Sequence, residues 1–387
     1  MAKGKMFIKK YKIDFDAEPA PRNVFILMDG TWNDESGIAE NNVTTNIHKL
    51  YQILSDDSTT QIKRYFRGIG NDEDNTWFQR LTHGAFGLDE KRIRDDAYCT
   101  ICKDYHPGDH IFIFGFSRGA ASARMLASDL NKKGIPEEIE IYTRPTANRR
   151  SNNIEYKFEK YTASQKTMSV DVQFLGVWDT VYAFNIPKLI FGISLFNRTY
   201  DLFNDKHVAS NVQHAIHIVA IDETRKVFKP TLMNHDPERI LEVWFPGVHS
   251  DVGGGYEEDE MGRITLNYML QKLDECCGKH NFHPVEYKSS YHKDKVIKLG
   301  KKNVVLHFHG LNGKKEVRYI EVIKNDKIDK NIKPKVHFSF QQIRTSANVY
   351  SKQEFKNFFR KPLRKFFRII YNPPGIRRLL QNYTIVR

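Results

Sequence analysis

Apolar and polar positions alternate in blocks along the first two-thirds of the chain, and the blocks switch between two periods. Short continuous apolar runs over residues 22–28, 110–114 and 171–177 predict strands buried on both faces, as do those at 217–221 and 241–245. A further strand is predicted at 61–66. Between the runs, apolar residues recur at helical spacing over 44–54, with a threonine cap, and over 87–105, 117–130 and 264–277. Pro107-Gly108-Asp109 turns the chain into the strand at 110–114. Strand and helix in alternation predict an α/β fold: a mostly parallel sheet flanked by helices.

Two stretches break the pattern. Residues 132–168 are polar and charged, which predicts an insertion on the surface or over a site. From about residue 295 the texture becomes strand-like alternation, and Asn312-Gly313 signals a hairpin, predicting a small antiparallel appendage over 295–323. Near the end, Leu363, Phe366, Phe367 and Ile370 recur at i, i+3, i+4 and i+7 behind Pro362. That spacing predicts a helix with one aromatic face. The expected organisation is an N-terminal extension (1–21), a main α/β domain (22–290, carrying the insertion), and a β appendage with a basic aromatic helical tail (291–387).

At 387 residues, with 40% hydrophobic and 12% aromatic content, the chain can bury a large core, so global disorder is excluded. No apolar run approaches the ~20 residues that cross a bilayer, and the lysine-bearing amino terminus lacks the apolar core of a signal peptide. The expectation is a protein made in the cytoplasm. Cys99, Cys102, Cys276 and Cys277 are too few for a disulfide framework, and the single C-x-x-C falls in a helix-like segment with no second pair to complete a zinc site. They read as reduced core residues. The net charge of +13 is concentrated at the end: residues 351–387 hold ten Lys or Arg against one acid, Glu354, which predicts an anionic partner for the tail.

The strongest chemical signal is Gly115-Phe116-Ser117-Arg118-Gly119, a G-x-S-x-G motif with an apolar strand before it and an Ala-rich helix after it. That context is what a nucleophile elbow requires: small neighbours for a strained turn, and a serine aimed at free helix N–H groups. A nucleophilic serine needs a base, and the base needs an orienting carboxylate. Asp179 ends one downstream strand, and His249 sits in a glycine-rich loop after another, which is the Ser–acid–His order of α/β-hydrolases. Asp222 and Asp251 compete as the acid. Beside the Arg118 amide, the Asp29-Gly30-Thr31 turn offers Gly30 and Thr31 amides as second oxyanion donors, while Asp29 itself reads as a turn-stabilising residue. A metal held by Asp29, Asp179, His249 and Asp251 is the weaker reading, since no ligand spacing supports it; no cofactor and no catalytic metal are expected. His214 and His217 read as packed or surface residues.

Eight blocks occur in one order: MDGTWND, TTNIHKL, RYFRGIG, GDHIFIFGFSRGAASAR, FLGVWDTV, HAIHIVAIDETRKVFKP, VWFPGVHSDVGGGY and ITLNYML. Val336-His337-Phe338-Ser339 and Tyr371-Asn372-Pro373-Pro374 follow them. Together they resemble a bacterial α/β-hydrolase family long catalogued as a domain of unknown function, which includes the catalytic domain of type VI secretion phospholipase effectors. The resemblance implies Ser117 as nucleophile, Asp179 as acid and His249 as base. It also implies hydrolysis of glycerophospholipid acyl esters, and an immunity or secretion partner. A basic aromatic tail fits an anionic membrane surface, and no nucleic-acid motif is recognised. The competing readings are a small-ester carboxylesterase and a catalytically weak hydrolase fold that binds anionic membrane or nucleic acid.

Overall fold

The computed structural model describes residues 6–18, 21–30, 44–68, 86–147, 154–181, 207–225, 228–280, 282–290, 304–309, 318–345, 349–355, 363–368 and 383–386. Eight strands form the main sheet: β1 (Asn23–Met28), β2 (Gln61–Phe66), β3 (His110–Phe116), β4 (Val172–Trp178), β5 (Val212–Ala220), β6 (Ile240–Phe245), β7 (Lys335–His337) and β8 (Thr384–Val386). All seven pairings are parallel, in the order β2-β1-β3-β4-β5-β6-β7-β8. The order reverses once, between β1 and β3. In such sheets the crevice outside the carboxyl ends at the reversal is where a site forms.

Alternate side chains of each strand serve opposite layers. Val24, Ile26 and Met28 of β1 face helices α2 (Phe86–Asp104) and α3 (Arg118–Lys133), in a core that also takes in Ile111, Ile113 and Val177. Phe25 and Leu27 face the other way, joining Phe112, Phe114 and Trp178 under helices α1 (Asn46–Ile53) and α5 (Glu260–His280). Strands buried on both sides have no polar face to show, which is why they read as unbroken apolar runs. Thr45 caps α1 by accepting from the His48 N–H at 3.2 Å. All four cysteines are buried and unpaired. Among the described residues no helix is long and apolar enough to cross a membrane.

The polar insertion is a long hairpin, Glu138–Ala147 with Ile154–Ala163, and the amino-terminal strand Phe7–Lys12 pairs antiparallel with its first arm. Tyr98 of α2 anchors this region, with its ring 5.5 Å from that of Tyr161 and its hydroxyl donating to the Gly134 carbonyl at 2.8 Å.

The carboxyl-terminal third differs from expectation in two ways. Val304–His309 pairs in parallel with Val349–Phe355, which pairs antiparallel with Leu363–Arg368, so the appendage is a mixed sheet and not a local antiparallel hairpin. The turn at 311–314 lies outside the described residues. Alternation announces a strand but not its partner, and here the partner is supplied from farther down the chain. Second, the predicted helical tail is a strand over Leu363–Arg368; Pro362, Ile370 and the Tyr371–Pro374 block lie outside the described residues. A six-residue segment satisfies both apolar periods, and an open sheet edge decides between them. The same third of the chain also completes the main sheet through β7 and β8, with helix α6 (Ser339–Thr345) between them.

Candidate active site

Ser117 sits between the last residue of β3 and the first of α3 with φ 58° and ψ −118°, a left-handed conformation that costs a non-glycine residue on the order of 1–3 kcal/mol. The turn is held because its amide donates to the Trp178 carbonyl at 3.0 Å and its carbonyl accepts from the Val181 amide at 3.2 Å. Its neighbours must be glycine. A Cβ on Gly119 would stand 2.2 Å from the Met28 carbonyl oxygen, and one on Gly115 would stand 2.5 Å from the Gly119 carbonyl oxygen. Gly119 thus admits β1 behind the elbow, and Gly115 admits the first turn of α3. Among the described residues the Ser117 hydroxyl makes no hydrogen bond, and it lies at the amino terminus of a 16-residue helix.

Asp179 follows β4 directly. Its backbone is left-handed at φ 38°, held by donation of its amide to the Ile218 carbonyl at 2.7 Å. The side chain is wholly buried. Oδ2 stands 2.6 Å from His249 Nδ1, so the aspartate and histidine predicted from sequence do meet. Oδ1 accepts from the Ala220 amide at 3.0 Å. The remaining capacity is taken by Arg318, whose two terminal nitrogens reach Oδ1 at 2.7 Å and Oδ2 at 2.9 Å. Arg318 also donates to the Ala220 carbonyl at 2.8 Å and to the Phe228 carbonyl. Burial by itself would raise the Asp179 carboxyl, but the Arg318 guanidinium and the His249 bond outweigh it and hold the group below the usual carboxylate range. Arg318 escaped the sequence reading because it lies in a segment that reads only as alternating strand.

His249 opens the short helix α4 (His249–Gly253) after β6. Its ring is sandwiched by Phe116, stacked at 4.6 Å and 29°, and Phe228 at 4.7 Å. Phe116 is the residue before Ser117, so the imidazole and the elbow share a wall. Burial lowers the His249 pKa more than the Asp179 carboxylate raises it, which favours the neutral ring. His217 holds the residue after Asp179: Nε2 accepts from the Thr180 amide at 3.1 Å while Nδ1 is 2.8 Å from Glu242.

The rival acids are otherwise engaged. Asp251 accepts from the Val248 amide at 2.9 Å and from the His307 amide at 3.1 Å, and its Oδ1 is 2.6 Å from His307 Nδ1. Asp222 accepts from the Gly247 amide at 2.6 Å. Asp29 is a turn residue, accepting from the Tyr65 hydroxyl at 2.6 Å and the Thr45 hydroxyl at 2.7 Å. It also takes the Gly30 amide at 2.6 Å, which corrects the expectation that Gly30 offers a free oxyanion donor. Thr31 lies outside the described residues. Of the four residues weighed as a hard-metal set, Asp179 and His249 meet each other, while Asp29 bonds to Thr45 and Asp251 to His307, and the four do not group as ligands among the described residues. Burial pushes the Arg118 guanidinium down to about 9; its side chain lines a small cleft with Asp29, Arg67, Glu90 and Ser122.

A parallel sheet with one order reversal, a strand–serine–helix elbow at that reversal, and a buried acid–imidazole pair at the ends of β4 and β6 define an α/β-hydrolase-type protein. Residues 22–272 match the family described as T6SS, phospholipase effector Tle1-like, catalytic domain, and the chain belongs to that family. A curated relative is the uncharacterised protein YEL023C of Saccharomyces cerevisiae, 31% identical over 235 residues; the match covers 54% of this chain and 32% of the yeast protein. The chain thus spans about a third of that relative's length. Among solved structures, an uncharacterised Pseudomonas aeruginosa protein aligns at 18% identity and a TM-score of 0.40, over 66% of this chain and 46% of that one. The Tle1 effector bound to the VgrG spike of the type VI secretion system aligns at 23% identity and a TM-score of 0.38, over 62% and 52%. The esterase Est2 of Thermogutta terrifontis aligns at 13% and 0.31, over 72% and 90%.

Proposed function

We propose that this chain is a serine-dependent ester hydrolase that cleaves acyl esters of glycerophospholipids. The observation that carries the reading is the buried Asp179–His249 contact of 2.6 Å, with Phe116, the residue before Ser117, stacked on the same imidazole. With Nδ1–H donating to Asp179, Nε2 bears the lone pair and takes the Ser117 proton as Oγ attacks the ester carbonyl. The oxyanion is stabilised by the Arg118 amide at the positive end of α3. His249 returns its proton to the departing lysolipid, and water then releases the fatty acid from the acyl-serine. Membership of the phospholipase effector family supports the lipid substrate.

The test is fatty-acid release from mixed-chain phosphatidylethanolamine and phosphatidylglycerol vesicles by wild type and Ser117→Ala. Release is expected to fall by several orders of magnitude in the variant, as removal of a nucleophile does in serine hydrolases, while the fold persists. Equal release by both proteins sinks the triad. Cleavage of short soluble esters without vesicle activity would favour a carboxylesterase, and binding to vesicles without cleavage would favour a hydrolase-fold binding module.

A further inference from the structure

The amino-terminal end of the sheet, opposite the elbow, holds a second cluster with ligand chemistry. His214 and His217 lie on strand β5, three residues apart, so they point to opposite faces. His217 turns to Glu242, and His214 turns to α5. There, Cys276 and His280 stand at i and i+4, on one face of the last turns of the helix. His214 Nε2 and His280 Nε2 approach to 2.6 Å, and the two nitrogens with Cys276 Sγ all lie within 4.8 Å of one another.

We propose that His214, Cys276 and His280 form a binding site for a transition-metal ion of the zinc type. The donor set is the usual one for such ions: two imidazole nitrogens and one thiolate, with the fourth position left to water. Ligand atoms around a tetrahedral zinc, with bonds of ~2.0–2.3 Å, stand roughly 3.3–3.8 Å apart. Rotation of the exposed His280 ring opens the histidine pair to that spacing. The ring is already oriented by stacking on Phe282 at 5.5 Å and 22°, and Phe282 in turn packs on His110 at 4.7 Å. A dication also suits the place, because the last turn of a long helix is its negative end.

A metal of this type takes neutral imidazoles and a thiolate, so binding costs the cysteine one proton. On binding, the imidazole whose Nε2 carries hydrogen shifts to the Nδ1–H tautomer. The Cys276 S–H bond breaks, a metal–sulfur bond forms, and one proton leaves to solvent. The ion would staple the end of α5 to β5 and takes no part in ester cleavage, so the site stands or falls apart from the hydrolase reading.

The test uses the untagged full chain, with Zn²⁺ titrated calorimetrically and Co²⁺ as the spectroscopic probe. One equivalent should bind with release of about one proton, and the Co²⁺ complex should show tetrahedral d–d bands and a thiolate-to-metal charge-transfer band. Cys276→Ser should abolish the charge-transfer band. His280→Ala, at an exposed position, should weaken Zn²⁺ binding at least about 10-fold with the far-UV circular dichroism unchanged. Failure to bind one equivalent would overturn the site. So would a charge-transfer band that survives Cys276→Ser, or Zn²⁺ affinity that survives His280→Ala; the histidines would then be a hydrogen-bonded pair and no more.

Discussion

Replacing Arg318 by alanine should act on the Asp179–His249 pair in two separable ways. The first is stability. Asp179 is wholly buried and receives both terminal nitrogens of Arg318, at 2.7 and 2.9 Å; without them it keeps only the Ala220 amide and His249. Stripping one partner from a buried ion pair costs about 3–5 kcal/mol. At about 2.1 cal/mol/K of unfolding entropy per residue, a 387-residue chain shifts by about 1.2 °C per kcal/mol, so the melting temperature should fall by roughly 4–6 °C. The second effect is on the pH profile. In the wild type burial keeps the His249 pKa low against the pull of the Asp179 carboxylate, and the guanidinium bonded to that carboxylate is a further positive charge close to the imidazole. With the guanidinium gone, imidazolium is better stabilised and the pKa rises. A base works only when neutral, so activity disappears as pH falls through that pKa. The acidic limb of kcat/KM for a soluble ester should therefore move to higher pH in the variant. Arg318→Lys keeps the charge but not the planar fork, and should lower the melting temperature while leaving the limb nearly in place. An alanine variant that melts within about 1 °C of wild type, a loss below about 1 kcal/mol, with an unmoved limb would refute the reasoning.

The two rival carboxylates can be told apart by amide substitution. Asp179→Asn should lower turnover about 10⁴-fold, the cost of the equivalent change in serine proteases. Asp251→Asn, which weakens the bond to His307, should cost stability but leave turnover within about 10-fold; similar losses in both would put the assignment of Asp179 in error. Gly119→Ala drives a Cβ to 2.2 Å from the Met28 carbonyl oxygen, a backbone atom that cannot step aside. It should destabilise by at least about 1–3 kcal/mol in a urea titration, and an unchanged midpoint would mean that β1 does not pass so close to the elbow. Stability should also fall in mild acid. His337 is stacked on Phe245 at 4.3 Å, and burial followed by the Lys272 charge pushes its pKa down to about 3. A base whose folded pKa is depressed contributes its full stability above the unfolded value of ~6.5 and loses it as pH drops towards the folded one. His337→Phe should flatten the decline in urea midpoint between neutral and weakly acid pH, and an unchanged slope would assign it to other groups.

The catalytic half of the fold was legible in the sequence because its rules are local or nearly so. Strands buried on both faces need unbroken apolar runs, and the helices between them need an apolar stripe. The elbow needs glycines within two residues of Ser117, where β1 and α3 crowd the backbone. Since every strand of the main sheet runs the same way, residues ending different strands gather at one edge, and Asp179 and His249 could be paired from their positions alone. What the sequence could not decide was which distant segments share a hydrogen-bond ladder or a buried charge. Leu363–Arg368 carries apolar spacing that suits a helix, yet the free edge of Val349–Phe355 claims it as a strand. Arg318 lies 139 residues from the carboxylate it neutralises, and no local pattern marks it. A wholly buried Asp179 demands a counter-charge, but only tertiary packing chooses the one that supplies it.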